Sequence, residues 1–159
     1  MNFRLGFTLF ELVIVLAILA AMVTVIAPYA SRSNEHLKLD NQVQEVSETL
    51  KYAINLAETE NQKVRFYLDT NQKSFSLQTA DEDGDFYPIS GPVGSPRFLS
   101  PGCHLMDIEG FEMDSQSCCL EFNPAINWPT AQFSILGEDF KKTIMIQSKT
   151  VIIQDEGEM

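Results

Sequence analysis

Two hydrophobic periods divide the chain. From Phe7 to Ala27 only Thr8, Glu11 and Thr24 interrupt an apolar run, and a helix of that length rises about 30 Å, the thickness of a bilayer's hydrocarbon layer. The run has no polar face, so the pattern predicts a transmembrane helix over 7–27. Pro28 follows, a residue that kinks a helix without ending it when the flanks are strongly helical. Leu39, Val43, Val46, Leu50, Ala53 or Ile54, and Ala57 then recur at gaps of three and four, while Asp40, Gln44, Glu45, Glu48 and Lys51 occupy other faces. This is the pattern of an amphipathic helix over 28–61 with one side to cover. The apolar repeat spans too few heptads to support a coiled coil. The two halves predict one long, gently bent helix from about Phe7 to about Asn61.

After Asn61 the period becomes two. Val64, Phe66 and Leu68 alternate with Arg65, Tyr67 and Asp69, Asn71-Gln72 offers a turn, and Phe75 and Leu77 continue the alternation as a hairpin with one apolar face. From Ala80 to Gly102, Asp81-Glu82-Asp83-Gly84-Asp85 and then Pro88, Gly91, Pro92, Gly94, Pro96 and Pro101 predict a long loop. The final third reads as strands over 103–108, 118–122, 131–136, 143–147 and 150–154, with Ser148-Lys149 as a tight turn between the last two. Residues 62–159 are thus expected to form a β-rich globular domain. The fold class is α+β, a long N-terminal helix packed on a mainly antiparallel sheet.

The start of the chain departs from a secretory signal, which has a basic front, a short apolar core and a small-residue cleavage site. Here Arg4 is the only basic leader residue, and the apolar run is longer than a signal core. Gly6-Phe7-Thr8-Leu9-Phe10-Glu11, followed by the apolar run, resembles the type IV pilin-like superfamily. The resemblance implies a pilin-like fold and a prepilin leader over 1–6 that a membrane prepilin peptidase cuts between Gly6 and Phe7, with N-methylation of Phe7. It also implies that Glu11 pairs with the Phe7 amine of a neighbouring subunit during assembly. A charge inside a span costs roughly 2.5 to 3.5 kcal/mol on insertion scales, so Glu11 needs such a partner unless it merely reaches the headgroups. The segment Ala53 to Phe66, an Ala-rich, Glu-containing helix end leading into a strand, resembles the H-type minor pseudopilins of type II secretion and the FimT-like minor pilins. Leu120-Glu121-Phe122-Asn123-Pro124-Ala125 keeps that branch's Phe and Pro but lacks its Gly, and Ser148-Lys149-Thr150 stands where the branch has Thr-Gly. Its members are subunits of a periplasmic pseudopilus, held in the bacterial inner membrane by a single pass with the C-terminal domain in the periplasm. The implied partners are other pseudopilins or pilins, the prepilin peptidase, the inner-membrane assembly platform, and membrane lipid before assembly.

Charge and cysteine usage narrow this further. Eleven Lys and Arg face 22 Asp and Glu, a net charge of −11, and such a chain is a poor ligand for nucleic acid or anionic lipid. Cys103, Cys118 and Cys119 would face an oxidising compartment in that orientation. The odd count predicts one disulfide, Cys103 with Cys118 or Cys119, and one leftover thiol. Cys118 and Cys119 would point to opposite faces of a strand, so only one can meet Cys103. No metal or cofactor is implied. The histidines His36 and His104 fit no usual zinc spacing, and Asp81 to Asp85 lacks the terminal Glu of a calcium loop and reads as a solvated acidic turn.

The remaining constellations point away from an enzyme. His104, Asp107, Glu109 and Ser115 or Ser117 supply hydrolase residue types, yet no nucleophile elbow, phosphate loop or metal motif accompanies them. Lys141, Lys142 and Lys149 read as a solubilising edge, with contact to DNA or an acidic partner as the alternative. Three competing readings stay open: a minor pilin of a type IV pilus, a single-pass membrane-anchored periplasmic binding domain, and a secreted enzyme cut after Ala21 or Ala30.

Overall fold

The computed structural model describes residues 9–113, 117–126 and 128–158, with the side chains of 25–33, 157 and 158 outside the description. One helix, α1 (Leu9–Glu60), precedes ten strands: β1 (Val64–Asp69), β2 (Ser74–Ala80), β3 (Phe86–Pro88), β4 (Arg97–Phe98), β5 (His104–Glu109), β6 (Glu112–Met113), β7 (Ser117–Phe122), β8 (Thr130–Leu136), β9 (Phe140–Gln147) and β10 (Thr150–Glu158). The chain divides into two units, Met1–Glu35 and His36–Met159. Within the first, the described structure is the early part of α1.

The second unit contains the core. The amphipathic stretch of α1 buries Leu39, Val43, Val46, Leu50, Ala53, Ile54 and Ala57, the positions the periodicity singles out. They meet two antiparallel sheets. One has the order β3-β2-β1-β7-β6, with β4 also paired to β2, and the other has the order β10-β9-β8-β5. Strand β1 buries Val64, Phe66 and Leu68 in strict alternation, and Phe66 lies 6.4 Å from Phe133 of β8, ring centre to ring centre, so the sheets share one apolar interior with the helix. Each large side chain removed from water there stabilises the fold by roughly 1.5 to 3 kcal/mol before conformational entropy is set against it.

Local chemistry sets the element ends. Asn61, at φ 53, follows the last helical residue and takes the left-handed conformation in which helices commonly stop. In the β1–β2 turn the Asp69 carboxylate accepts from the backbone N–H of Asn71 and Gln72 at 2.9 and 2.7 Å, and the hairpin keeps unbroken register from Val64↔Thr79 to Asp69↔Ser74. The β9–β10 turn is Ser148-Lys149, with Ser148 at φ 56.

The expected loop over 80–102 contains two short strands. Phe86–Pro88 and Arg97–Phe98 both pair with β2, and at 3 and 2 residues they are too short to display a period. Strand β6, also 2 residues, pairs with β7 in the same way. Helix α1 runs through Pro28, and the expected kink there concerns residues outside the described side chains. The expected transmembrane segment is described with side chains only over Leu9–Thr24, about 24 Å of helix. Among the described residues no helix is long and apolar enough to cross a membrane.

Candidate assembly surface

Helix α1 presents two different surfaces in its two units. In the first, every residue from Leu9 to Thr24 is exposed, and the large apolar ones range from 43% exposed at Ile14 to 80% at Leu9. Leu12 through Leu16 are consecutive and all exposed, so the apolar surface wraps the helix rather than forming a stripe. A solvated surface of this kind is unstable in water, and it marks contact with lipid or with other protein. Glu11 is the one acidic residue in this exposed stretch from Leu9 to Thr24. Gly6 and Phe7, the expected processing residues, lie outside the described residues.

In the second unit, polar side chains fasten α1 to both sheets. Gln42, 4% exposed, accepts through Oε1 from the backbone N–H of Ser100 at 2.8 Å and from its hydroxyl at 3.0 Å. Arg97 of β4 reaches Glu45 and Thr49 at 3.4 and 3.2 Å. From the other sheet, Lys142 pairs with Asp40 of α1 and lies 2.7 Å from Asp155 of β10. Asp40 also pairs with His36 at 2.9 Å, and the His36 ring meets Phe140 edge-on at 4.7 Å. Lys149 closes the far end, 2.6 Å from Glu58 and 5.1 Å from the centre of the Trp128 ring. These contacts run from His36 to Glu58, nearly the whole length of α1 in this unit.

The three lysines are therefore not a solubilising edge. Lys141 bridges Asp107 and Glu156 at 3.0 and 2.7 Å, and hydrogen bonds to Glu156 and Asp107 raise its pKa. The Glu156 carboxyl is held below its usual range by Lys141 and then by the Thr143 hydroxyl. For Lys142, partial burial is the largest single effect and pulls downward, but the hydrogen bonds to Asp155 and Asp40 and their charges together leave it raised. The periodicity sets Asp40 and Glu45 on faces of α1 other than the apolar stripe and does not single out Gln42. The available signal was position: Gln42 and Glu45 flank the apolar stripe at Val43 and Val46.

The hydrolase residue types are not brought together. His104 Nδ1 lies 3.1 Å from Lys73 Nζ, Asp107 binds Lys141, and Glu109 accepts from Gln132 at 2.9 Å. Ser117 sits on β7 in the other sheet, and Ser115 lies outside the described residues. The acidic turn folds on itself: Asp81 Oδ1 accepts from the backbone N–H of Asp83 and Asp85 at 3.0 and 2.9 Å. It borders a groove of about 660 Å³ lined also by Asn61, Lys63 and Tyr87.

The expected disulfide is absent, and all three cysteines are free thiols. Cys103 precedes β5 of one sheet, while Cys118 and Cys119 lie on β7 of the other. As alternation requires, Cys118 is buried and Cys119 is not. The Cys118 thiol donates to the Leu68 carbonyl at 3.7 Å, and burial, with a smaller contribution from Cys119, pushes its pKa up to about 11. Cys119 Sγ lies 3.9 Å from Glu112 Oε2.

No family model matches the chain, and no curated protein matches it. Among solved structures, the fold is similar to that of the minor pseudopilin EpsH from the Type 2 Secretion System of Vibrio cholerae. The TM-score is 0.62 at 16% sequence identity, over 76% of this chain and 99% of that one. At this identity the likeness is one of fold. The chain thus shares the α+β fold of that minor pseudopilin, a long helix packed on antiparallel sheets.

Proposed function

We propose that this protein is a minor pseudopilin, a structural subunit of a type II secretion pseudopilus rather than an enzyme. The observation that carries the reading is the exposed apolar surface of α1 from Leu9 to Val23, with Glu11 as its one acidic residue, on a chain whose second unit packs its core against the later part of α1. The precursor waits in the inner membrane with its apolar helix in lipid and its β-rich domain in the periplasm. The prepilin peptidase cuts between Gly6 and Phe7 and methylates the Phe7 amine. Glu11 then pairs with that amine on a neighbouring subunit, so that two charges that are costly to bury separately enter the filament as a pair. Helix packing against other subunits replaces lipid contacts as the assembly platform extracts the subunit.

Mass spectrometry of the mature amino terminus tests this. The expected species begins with N-methylated Phe7, and the Gly6→Ala variant should stay uncut and fail to enter filaments. A functional protein that begins at Met1, as a simple anchor would, or near residue 22 or 31, as a secreted enzyme would, overturns the reading.

A further inference from the structure

Most strands at the edges of the two sheets are blunted. In one sheet β3, β4 and β6 have 3, 2 and 2 residues, and β3 ends in Pro88. In the other, β5 loses register between Met106 and Glu109, where Asp107 adopts φ 50. Short strands, prolines and bulges are the usual devices that keep an edge from pairing with another chain. Strand β10 has none of them over its first part. It keeps unbroken register with β9 from Thr150 to Asp155 and has no further strand on its other side among the described residues. It also exposes Ile152 and Ile153 at 39% and 37%.

The order of residues along this edge is self-complementary. Read outward from Ile152, Val151 mirrors Ile153, Thr150 mirrors Gln154, and the cation Lys149 mirrors the anion Asp155. Directly opposite residues of an antiparallel pair point to the same face, so a two-fold axis through Ile152 sets each of these against its mirror position in a second copy. The faces agree. Val151 packs against the core, Asp155, on the same side by alternation, contacts the Lys142 that also pairs with α1, and Lys149, in the turn that leads into β10, contacts Glu58 of α1. Both charges keep room for a further partner, since Lys149 is 48% exposed and Asp155 69%.

We propose that β10 pairs with β10 of a second copy of this chain, antiparallel and centred on Ile152. The pairing joins two four-stranded sheets into one and satisfies the open backbone edge of each. The net charge of −11 opposes close approach, but at physiological salt it is screened beyond about 8 Å. This inference does not depend on the proposed function.

Cysteine cross-linking of the full-length protein in detergent micelles tests it, with Cys119→Ser as background to remove the partly exposed thiol. Across the axis the two copies of residue 152 stand about 4.5 to 5.5 Å apart at Cα, within disulfide range, whereas the two copies of residue 153 are diagonal neighbours about 7 to 8 Å apart. Ile152→Cys should therefore give a covalent dimer on mild oxidation, about tenfold more than Ile153→Cys. Thr150→Cys mixed with Gln154→Cys should cross-link as a heteropair. In the same assay Lys149→Asp should abolish the Ile152→Cys dimer, and adding Asp155→Lys should restore it. Equal yields at 152 and 153, or no dimer at either with the fold intact by circular dichroism, overturns the proposal.

Discussion

A single substitution made twice in α1 separates its two units. Leu50 is 0% exposed and packs in the core, whereas Leu19 is 53% exposed. Truncating Leu50 to Ala removes buried methyl groups and leaves a cavity, which costs about 2 to 5 kcal/mol. A domain of this size is stable by roughly 5 to 15 kcal/mol, so the loss is a large share of the total. Leu50→Ala should lower the urea midpoint by about 1 to 2.5 M for a slope of about 2 kcal/mol per molar. Leu19→Ala trims an exposed side chain outside the buried core and should leave that midpoint unchanged while weakening assembly. Trp128 is the single tryptophan, is partly buried, and lies 6.4 Å from Phe122 between ring centres, so its fluorescence reports unfolding of the β domain specifically. The measurement is a pair of urea titrations on the full chain in micelles. Equal shifts for the two variants, or a cost below about 1 kcal/mol for Leu50→Ala, would refute the division of the helix into a core half and an exposed half.

Other outcomes follow from single residues. Gly110 sits at φ +77, and a Cβ there would lie 2.4 Å from the Thr130 carbonyl oxygen and 2.9 Å from Ala131 Cα. Gly110→Ala should therefore cost at least about 2 kcal/mol and lower the thermal midpoint by about 4 to 8 °C by calorimetry. Gly84→Ala, with nothing within 4 Å of its Cβ, should cost only the backbone term of about 1 kcal/mol. Cys118 is held protonated up to about pH 11 in the folded protein. Its raised pKa contributes stability that is fully present below the unfolded thiol's pKa and is lost as pH rises from about 9 to about 11, up to about 2 to 3 kcal/mol. Denaturation of Cys118→Ala across that window should show a flatter pH profile than the parent, and an identical profile would dismiss the assignment.

What the chain alone determined was what depends on neighbours in sequence. The apolar stripe of α1 from Leu39 to Ala57, the β1–β2 hairpin and the five later strands were all legible because burial on one face imposes a period of 3.6 or 2 on adjacent residues. The exposed apolar helix and Glu11 were legible for the same reason, since composition without a polar face needs no tertiary context. Only the tertiary structure decided which distant residues meet. Strands β3, β4 and β6 exist because β2 and β7 offer edges to pair with, and 2 or 3 residues hold no period of their own. Lys141, Lys142 and Lys149 became struts rather than solvated charge because Asp107, Glu156, Asp40, Asp155 and Glu58 are brought to them from elsewhere in the chain. Cys103, before β5, and Cys118, on β7, are free thiols, and no period in the sequence tells which distant residue each side chain faces. Periodicity records which face of an element is buried, and it carries no information about the partner that buries it.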